Sequence, residues 1–91
     1  MTERLVCVGL IRDGVTHGVD RGFRQHWLLR AALGDENPSQ KNMTDINGFI
    51  TNTGRFVDRE EAKIVAEEAG QVSPGMTGEL LSSFINWDRG K

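Results

Sequence analysis

The sequence predicts an α+β fold, a small antiparallel β-sheet with two α-helices, built by one oligomeric domain spanning residues 1–91. Three observations carry that prediction. An unbroken apolar run, Leu5-Val6-Cys7-Val8-Gly9-Leu10-Ile11, has the length of a strand covered on both faces. Asp13-Gly14 follows it, the dipeptide of a two-residue hairpin in which both central positions need positive φ. Two later segments, Phe23 to Leu33 and Arg59 to Ala69, place apolar residues at helical spacing, and each is stopped by a glycine.

The elements follow in chain order. After the first strand and its turn, Val15 to Val19 is the expected return strand. The helix from Phe23 to Leu33 is apolar most of the way round, with Phe23, Trp27 and Ala31 on one side and Leu28, Leu29, Ala32 and Leu33 on the rest. Such a helix is expected to be covered twice, the second time by another subunit. Residues 34–47 are polar and long for a connection in a compact domain, so they are expected to be either mobile or functional. Gly48 to Asp58 reads as two very short strands around an Asn-Thr-Gly turn. Asp58 is placed as N-cap of the second helix, with Glu61 completing a capping box. Ala62, Val65, Ala66 and Ala69 form a narrow face of small side chains that can approach a sheet closely. Beyond Gly70 comes a tail with a final apolar piece from Leu80 to Trp87.

Composition narrows the function. Eleven basic residues against thirteen acidic give a formal charge of −2, which argues against DNA or RNA as the main partner. Eight of the cations are arginines, whose planar fork suits phosphate contacts and stacking on flat rings. Cys7 is the one cysteine and sits in an apolar run, which excludes an intramolecular disulfide and fits a reducing compartment. No signal peptide or membrane span is expected, so the protein is read as cytosolic. A chain this short buries roughly 60–65% of its unfolded surface, which favours self-association.

Enzyme signatures are missing from the sequence: there is no Walker-type loop, dinucleotide fingerprint, nucleophile elbow or paired-cysteine metal spacing. No cofactor and no metal are expected. Binding has better candidates. Phe23, His26, Trp27 and Arg30 adjoin one another at three- and four-residue spacings, with Arg24 beside them. A cation next to an aromatic plane holds a nucleobase with little sequence demand. In the central hairpin, Phe49 and Phe56 flank the turn, and Arg55 neighbours Phe56 on the opposite face of its strand. Asp58 is explained by capping. Should it also touch a ligand, it suits hydroxyls or an amino group, with the arginines meeting phosphates.

The run Gly48-Phe49-Ile50-Thr51, the turn to Gly54-Arg55-Phe56-Val57-Asp58-Arg59-Glu60-Glu61-Ala62 and the closing Gly70-Gln71-Val72 resemble a family of small phage proteins. That family includes the first type of Thoeris anti-defence protein. The resemblance extends upstream to the Gly9-to-Arg12 strand, its hairpin and Arg24-Gln25-His26-Trp27. It implies a non-enzymatic sponge in the cytoplasm of the infected bacterial host. Such a sponge binds cyclic ADP-ribose isomers made by TIR-domain enzymes, in some members also cyclic oligonucleotide signals at separate sites. It further implies dimers that group into hexamers, with the isomer pocket at the dimer interface. By that resemblance Arg24 clamps or stacks on the nucleotide, Phe49 stacks the base, and Asp58 stands where the family has Asn or Asp. His26, Arg55 and Arg59 are less specific matches. The chain departs from the family in keeping His26 alone of a histidine run, and in a closing segment, Leu81-Ser82-Ser83-Phe84-Ile85-Asn86-Trp87, that matches loosely. The other two readings are a small nucleotide-cleaving enzyme and a structural or partner-binding protein with no small ligand.

Overall fold

The computed structural model describes residues 3–19, 21–72 and 85–87. The expected apolar piece beginning at Leu80 lies outside the described residues apart from its end at Ile85–Trp87. The elements are β1 (Leu5–Arg12), β2 (Val15–His17), α1 (His26–Ala32), β3 (Ile46–Thr51), β4 (Phe56–Asp58) and α2 (Arg59–Glu68). The strands form one antiparallel sheet in the order β2-β1-β3-β4. The α+β architecture read from the sequence is therefore the observed one.

Register decides what each side of the sheet does. Val8 lies opposite Phe49, which lies opposite Val57. Residues paired this way share a face. Val8, Phe49 and Val57 belong to one buried cluster with Leu29 of α1 and with Ala62, Val65 and Ala66 of α2, so both helices cover this face. The small side chains of α2 are what let it approach. The opposite face carries the rows Cys7–Ile50–Phe56 and Gly9–Gly48–Asp58. Here the glycines provide space: a Cβ on Gly48 would stand 2.4 Å from the Phe56 ring and 2.3 Å from the Val57 carbonyl oxygen. A Cβ on Gly9 would stand 2.7 Å from Ile50 Cδ1. Ile50 and Phe56 thus lie down across the glycines on this face.

Both helices end in a Schellman motif, and each motif delivers a side chain to β1. After α1, Gly34 takes φ +91°, its N–H donates to Ala31 O, and the Asp35 N–H donates to Arg30 O. After α2, Gly70 takes φ +73°, its N–H donates to Glu67 O, and the Gln71 N–H donates to Ala66 O. Only glycine adopts the left-handed conformation without strain, which explains both stop signals. The residue after each glycine is a clamp. Asp35 accepts two hydrogen bonds from Arg12 at the end of β1. Gln71 grips the backbone of Leu5 at its start.

The 34–47 connection is ordered by the same arginine. Arg12 donates through Nε and Nη2 to Asp45, both at 2.8 Å, and through Nη1 and Nη2 to Asp35 at 2.8 and 2.9 Å. Two i→i+3 turns, Asn37–Gln40 and Asn42–Asp45, fill the span between the carboxylates. Of the two expectations for this loop, structural attachment at both ends weighs against free motion.

The first helix is shorter than expected and starts at His26. Phe23 O accepts the Val8 N–H at 2.7 Å, so the chain there still serves the edge of β1. Gln25 is extended, with φ −137° and ψ 138°. α1 buries His26, Leu29 and Arg30, while Trp27, Ala31 and Ala32 remain exposed. Its second face is thus uncovered within one chain. The return strand stops at His17 because Gly18, at φ +108°, turns the chain under β1.

Candidate functional site

A groove of about 470 Å³ opens where α1, the stapled loop, β3 and α2 meet; it is lined by Gln25, His26, Trp27, Arg30, Ser39, Lys41, Asn47 and Arg59. It continues past Lys41, Asn47 and Arg59 into a second stretch bordered by Asp45, Ile46, Asp58 and Glu60. One end is therefore cationic and aromatic, and the other is acidic.

Each lining side chain has a local reason for its place. One turn of α1 separates His26 and Trp27 from Arg30, so the three present together. His26 is buried, and its Nε2–H donates to Gly48 O at 2.8 Å. Burial, helped by Arg59 and Arg30 nearby, pushes its pKa down to about 4. Its imidazole is neutral at physiological pH. Trp27 is 46% exposed, and its indole N–H donates to Gln25 Oε1. The side chain lines the groove.

Arg30 is only 6% exposed, and burial lowers its pKa. Its Nε donates to Pro38 O at 2.5 Å, so the loop holds the guanidinium in place. Its Nη1, however, is buried with no hydrogen-bond partner, and so is Asn47 Oδ1. Asp35 and Asp45 lie near Arg30, but Arg12 engages both of their carboxylates.

The residues expected from the sequence to bind ligand separate into three groups. His26, Asp58 and Arg59 border the groove. Asp58 caps α2, its Oδ1 accepting the Glu61 N–H at 2.9 Å. Phe49 and Arg24 converge elsewhere, on Trp87. The Arg24 guanidinium lies over the Trp87 ring at 5.8 Å, and the Phe49 ring is 6.3 Å from the same indole. Phe49 is fully buried and meets His26 edge-on at 5.3 Å, so within one chain it is a core side chain. Arg55 stands at the tip of the β3–β4 hairpin. It binds Glu3 at 2.7 Å and also Glu61, and this arginine holds the Glu3 carboxyl down at about 2. Glu61 thus serves Arg55 with the carboxylate that was expected to close a capping box.

Helical spacing had already drawn Trp27 and Arg30 together with His26. Lys41 and Asn47 escaped it, because they arrive from a loop and a strand with no pattern shared with α1.

The neutral His26 predicts a pH dependence of stability. Its folded pKa lies below its unfolded value near 6.5, so the unfolded chain binds the proton more strongly. Stability is then complete above about 6.5 and is lost as pH falls toward about 4. Unfolding free energy should drop by about 2 kcal/mol between pH 7 and pH 5. Urea titrations at the two pH values measure this, and His26→Gln should remove most of the difference.

The family model described as the phage T4 y16D protein matches residues 5–85, from the first residue of β1 to the end of the core. The chain therefore belongs to the phage T4 y16D protein family and is a phage protein. No curated protein and no solved structure matches it. Among the described residues, no helix is long and apolar enough to cross a membrane.

Proposed function

We propose that the chain binds a cyclic nucleotide signal, a cyclic ADP-ribose isomer, in this groove and holds it without cleaving it. It would thereby sequester the signal from host immunity in the infected cell. The carrying observation is the groove itself: Arg30, Lys41 and Arg59 beside the half-exposed Trp27, with a buried guanidinium N–H left without a partner. Phosphates suit the cationic end, the Trp27 face suits a base, and Asp58 and Glu60 at the far end suit ribose hydroxyls.

Sequestration fits this lining better than catalysis does. His26 is neutral and its Nε2–H is committed to Gly48 O. Among the described residues Ser39 is the one hydroxyl lining the cationic half, and His26, with its pKa pushed down to about 4, is too weak a base to activate it. Asp58 is occupied as a helix cap.

Magnitudes favour assembly. Two charge-assisted contacts at about 1.5–3 kcal/mol each and one stacked base at about 1–3 give roughly 4–9 kcal/mol before the costs of association. A single groove then holds its ligand no tighter than about micromolar. Competing with a receptor needs a second copy to enclose the ligand, which is also the dimer that the sequence resemblance implies, with hexamers and cyclic oligonucleotide binding as further expectations. Trp27 and Ile46, each about half exposed at the groove's border, are the apolar surface such a copy would cover.

Titration calorimetry with a cyclic ADP-ribose isomer, followed by denaturation and chromatography of the released ligand, tests this. Sub-micromolar binding with intact ligand recovered is the expected result. A cleaved product would make the protein an enzyme, and absence of binding would leave the structural or partner-binding reading.

A further inference from the structure

We infer that Arg30 and Asn47 are the pair that selects the ligand: Arg30 Nη1 takes a phosphate oxygen, and Asn47 Oδ1 takes a hydroxyl or amino hydrogen on the same molecule. This rests on the reading of the groove as a nucleotide site, and it assigns roles to residues outside the family motif.

Among the described residues, these two atoms are the buried side-chain nitrogen and oxygen left without a hydrogen bond. A buried polar group without a partner is costly, so native structures rarely keep one that nothing satisfies. Here there are two, of opposite polarity, buried on side chains that line one groove. The surroundings do not supply the missing partners. Pro38 O takes Arg30 Nε, and Arg12 makes four hydrogen bonds to Asp35 and Asp45. Arg30 is fixed by the loop and buried to 6% exposure, so it is preorganised and desolvated before any ligand arrives.

The charge pattern gives the ligand its orientation. Lys41 and Arg59 line the groove beside Arg30, and the acidic stretch with Asp58 and Glu60 begins beyond Asn47. An anion is drawn to the Arg30 end and repelled from the other. The best occupant carries a phosphate and, adjacent to it, hydrogen-bond donors, as a ribose phosphate does. A phosphate alone satisfies Arg30 and leaves Asn47 Oδ1 unmet. Ordered water is the competing occupant, since it can satisfy both atoms without selecting anything.

The test uses the full chain and two probes, inorganic pyrophosphate and ADP-ribose, titrated into the unaltered protein, Arg30→Met, Asn47→Leu and Asn47→Asp. ADP-ribose should bind about tenfold tighter than pyrophosphate, one hydrogen-bond network's worth of preference. Arg30→Met should weaken both probes by about tenfold or more. Asn47→Leu should abolish the preference for ADP-ribose and leave pyrophosphate within about twofold. Asn47→Asp, isosteric and therefore the safeguard if Arg30→Met fails to fold, should weaken pyrophosphate by charge repulsion while keeping the melting temperature. Unchanged pyrophosphate affinity in Arg30→Met or Asn47→Asp overturns the assignment. So does an equal loss of both probes in Asn47→Leu, or no binding of either probe by the unaltered protein, which is the outcome for a water-filled groove. Should the probes behave as expected while a cyclic ADP-ribose isomer fails to bind, the sequestration reading falls and this pair stands.

Discussion

Arg12→Ala should lower the melting temperature by about 10 °C or more, a loss of about 2–3 kcal/mol in a domain of this size. The Arg12 side chain is 18% accessible and that of Asp45 is not accessible at all, so removing the guanidinium strands a buried carboxylate. The magnitude is set below that of a fully enclosed pair because water reaches one partner. Arg12→Lys should recover only part of the loss, since an ammonium cannot make the four in-plane bonds to two carboxylates. Thermal unfolding of the two variants measures both. Function should suffer as well. The loop between Asp35 and Asp45 carries Ser39 and Lys41 of the groove and holds Arg30 through Pro38 O. Arg12→Ala should therefore weaken ligand binding from a position outside the groove.

Gln71→Leu should be destabilising by about 3 kcal/mol, although leucine is apolar and the site is buried. The Gln71 amide accepts the Leu5 N–H and donates to Leu5 O, both at 2.8 Å, beside the irregularity that β1 makes between Leu5 and Cys7. Leucine would leave a buried backbone donor and a buried acceptor unpaired, each worth about 1–3 kcal/mol. Gln71→Glu separates polarity from shape. Its carboxylate keeps the bond from Leu5 N–H but faces the Leu5 carbonyl, a repulsion relieved when the acid is protonated. Relative to the unaltered protein, which carries the same His26 loss, stability of this variant should rise as pH falls below neutrality. Denaturant titrations at pH 7 and pH 5.5 distinguish the two. If Gln71→Leu were neutral, the amide would not be what closes this end of β1.

Much of this organisation was legible in local sequence, because local chemistry set it. Asp13 and Gly14 take φ 52° and 77°, the hairpin that the dipeptide requires. Asp58 caps α2 and Gly70 stops it, as expected from residue types with one conformational use. The end expected for α1, at Gly34, was also right, but its start was not. Phe23 to Gln25 have helical composition, yet Phe23 O is taken by Val8, a partner far away in sequence. Alternation put Arg55 and Phe56 on opposite faces of the central hairpin. It did not show that the Phe49 side is the one both helices cover. The Arg12 staple joins residues 23 and 33 positions apart through a loop with no periodicity, so no local signal announces it. The same holds for Lys41 and Asn47 in the groove.

The most direct measurement is the ¹⁵N–¹H spectrum of the chain during titration with a cyclic ADP-ribose isomer. Amides of residues 25–30, 39–41, 47 and 58–60 are expected to shift together and saturate with one affinity. A second concavity, of about 600 Å³, lies against Cys7 and Ile50 and is lined by Val19, Arg21 and the 51–54 turn. Saturable shifts confined there, with the Arg30 and Asn47 signals unmoved, would put the ligand outside the groove and end the proposal.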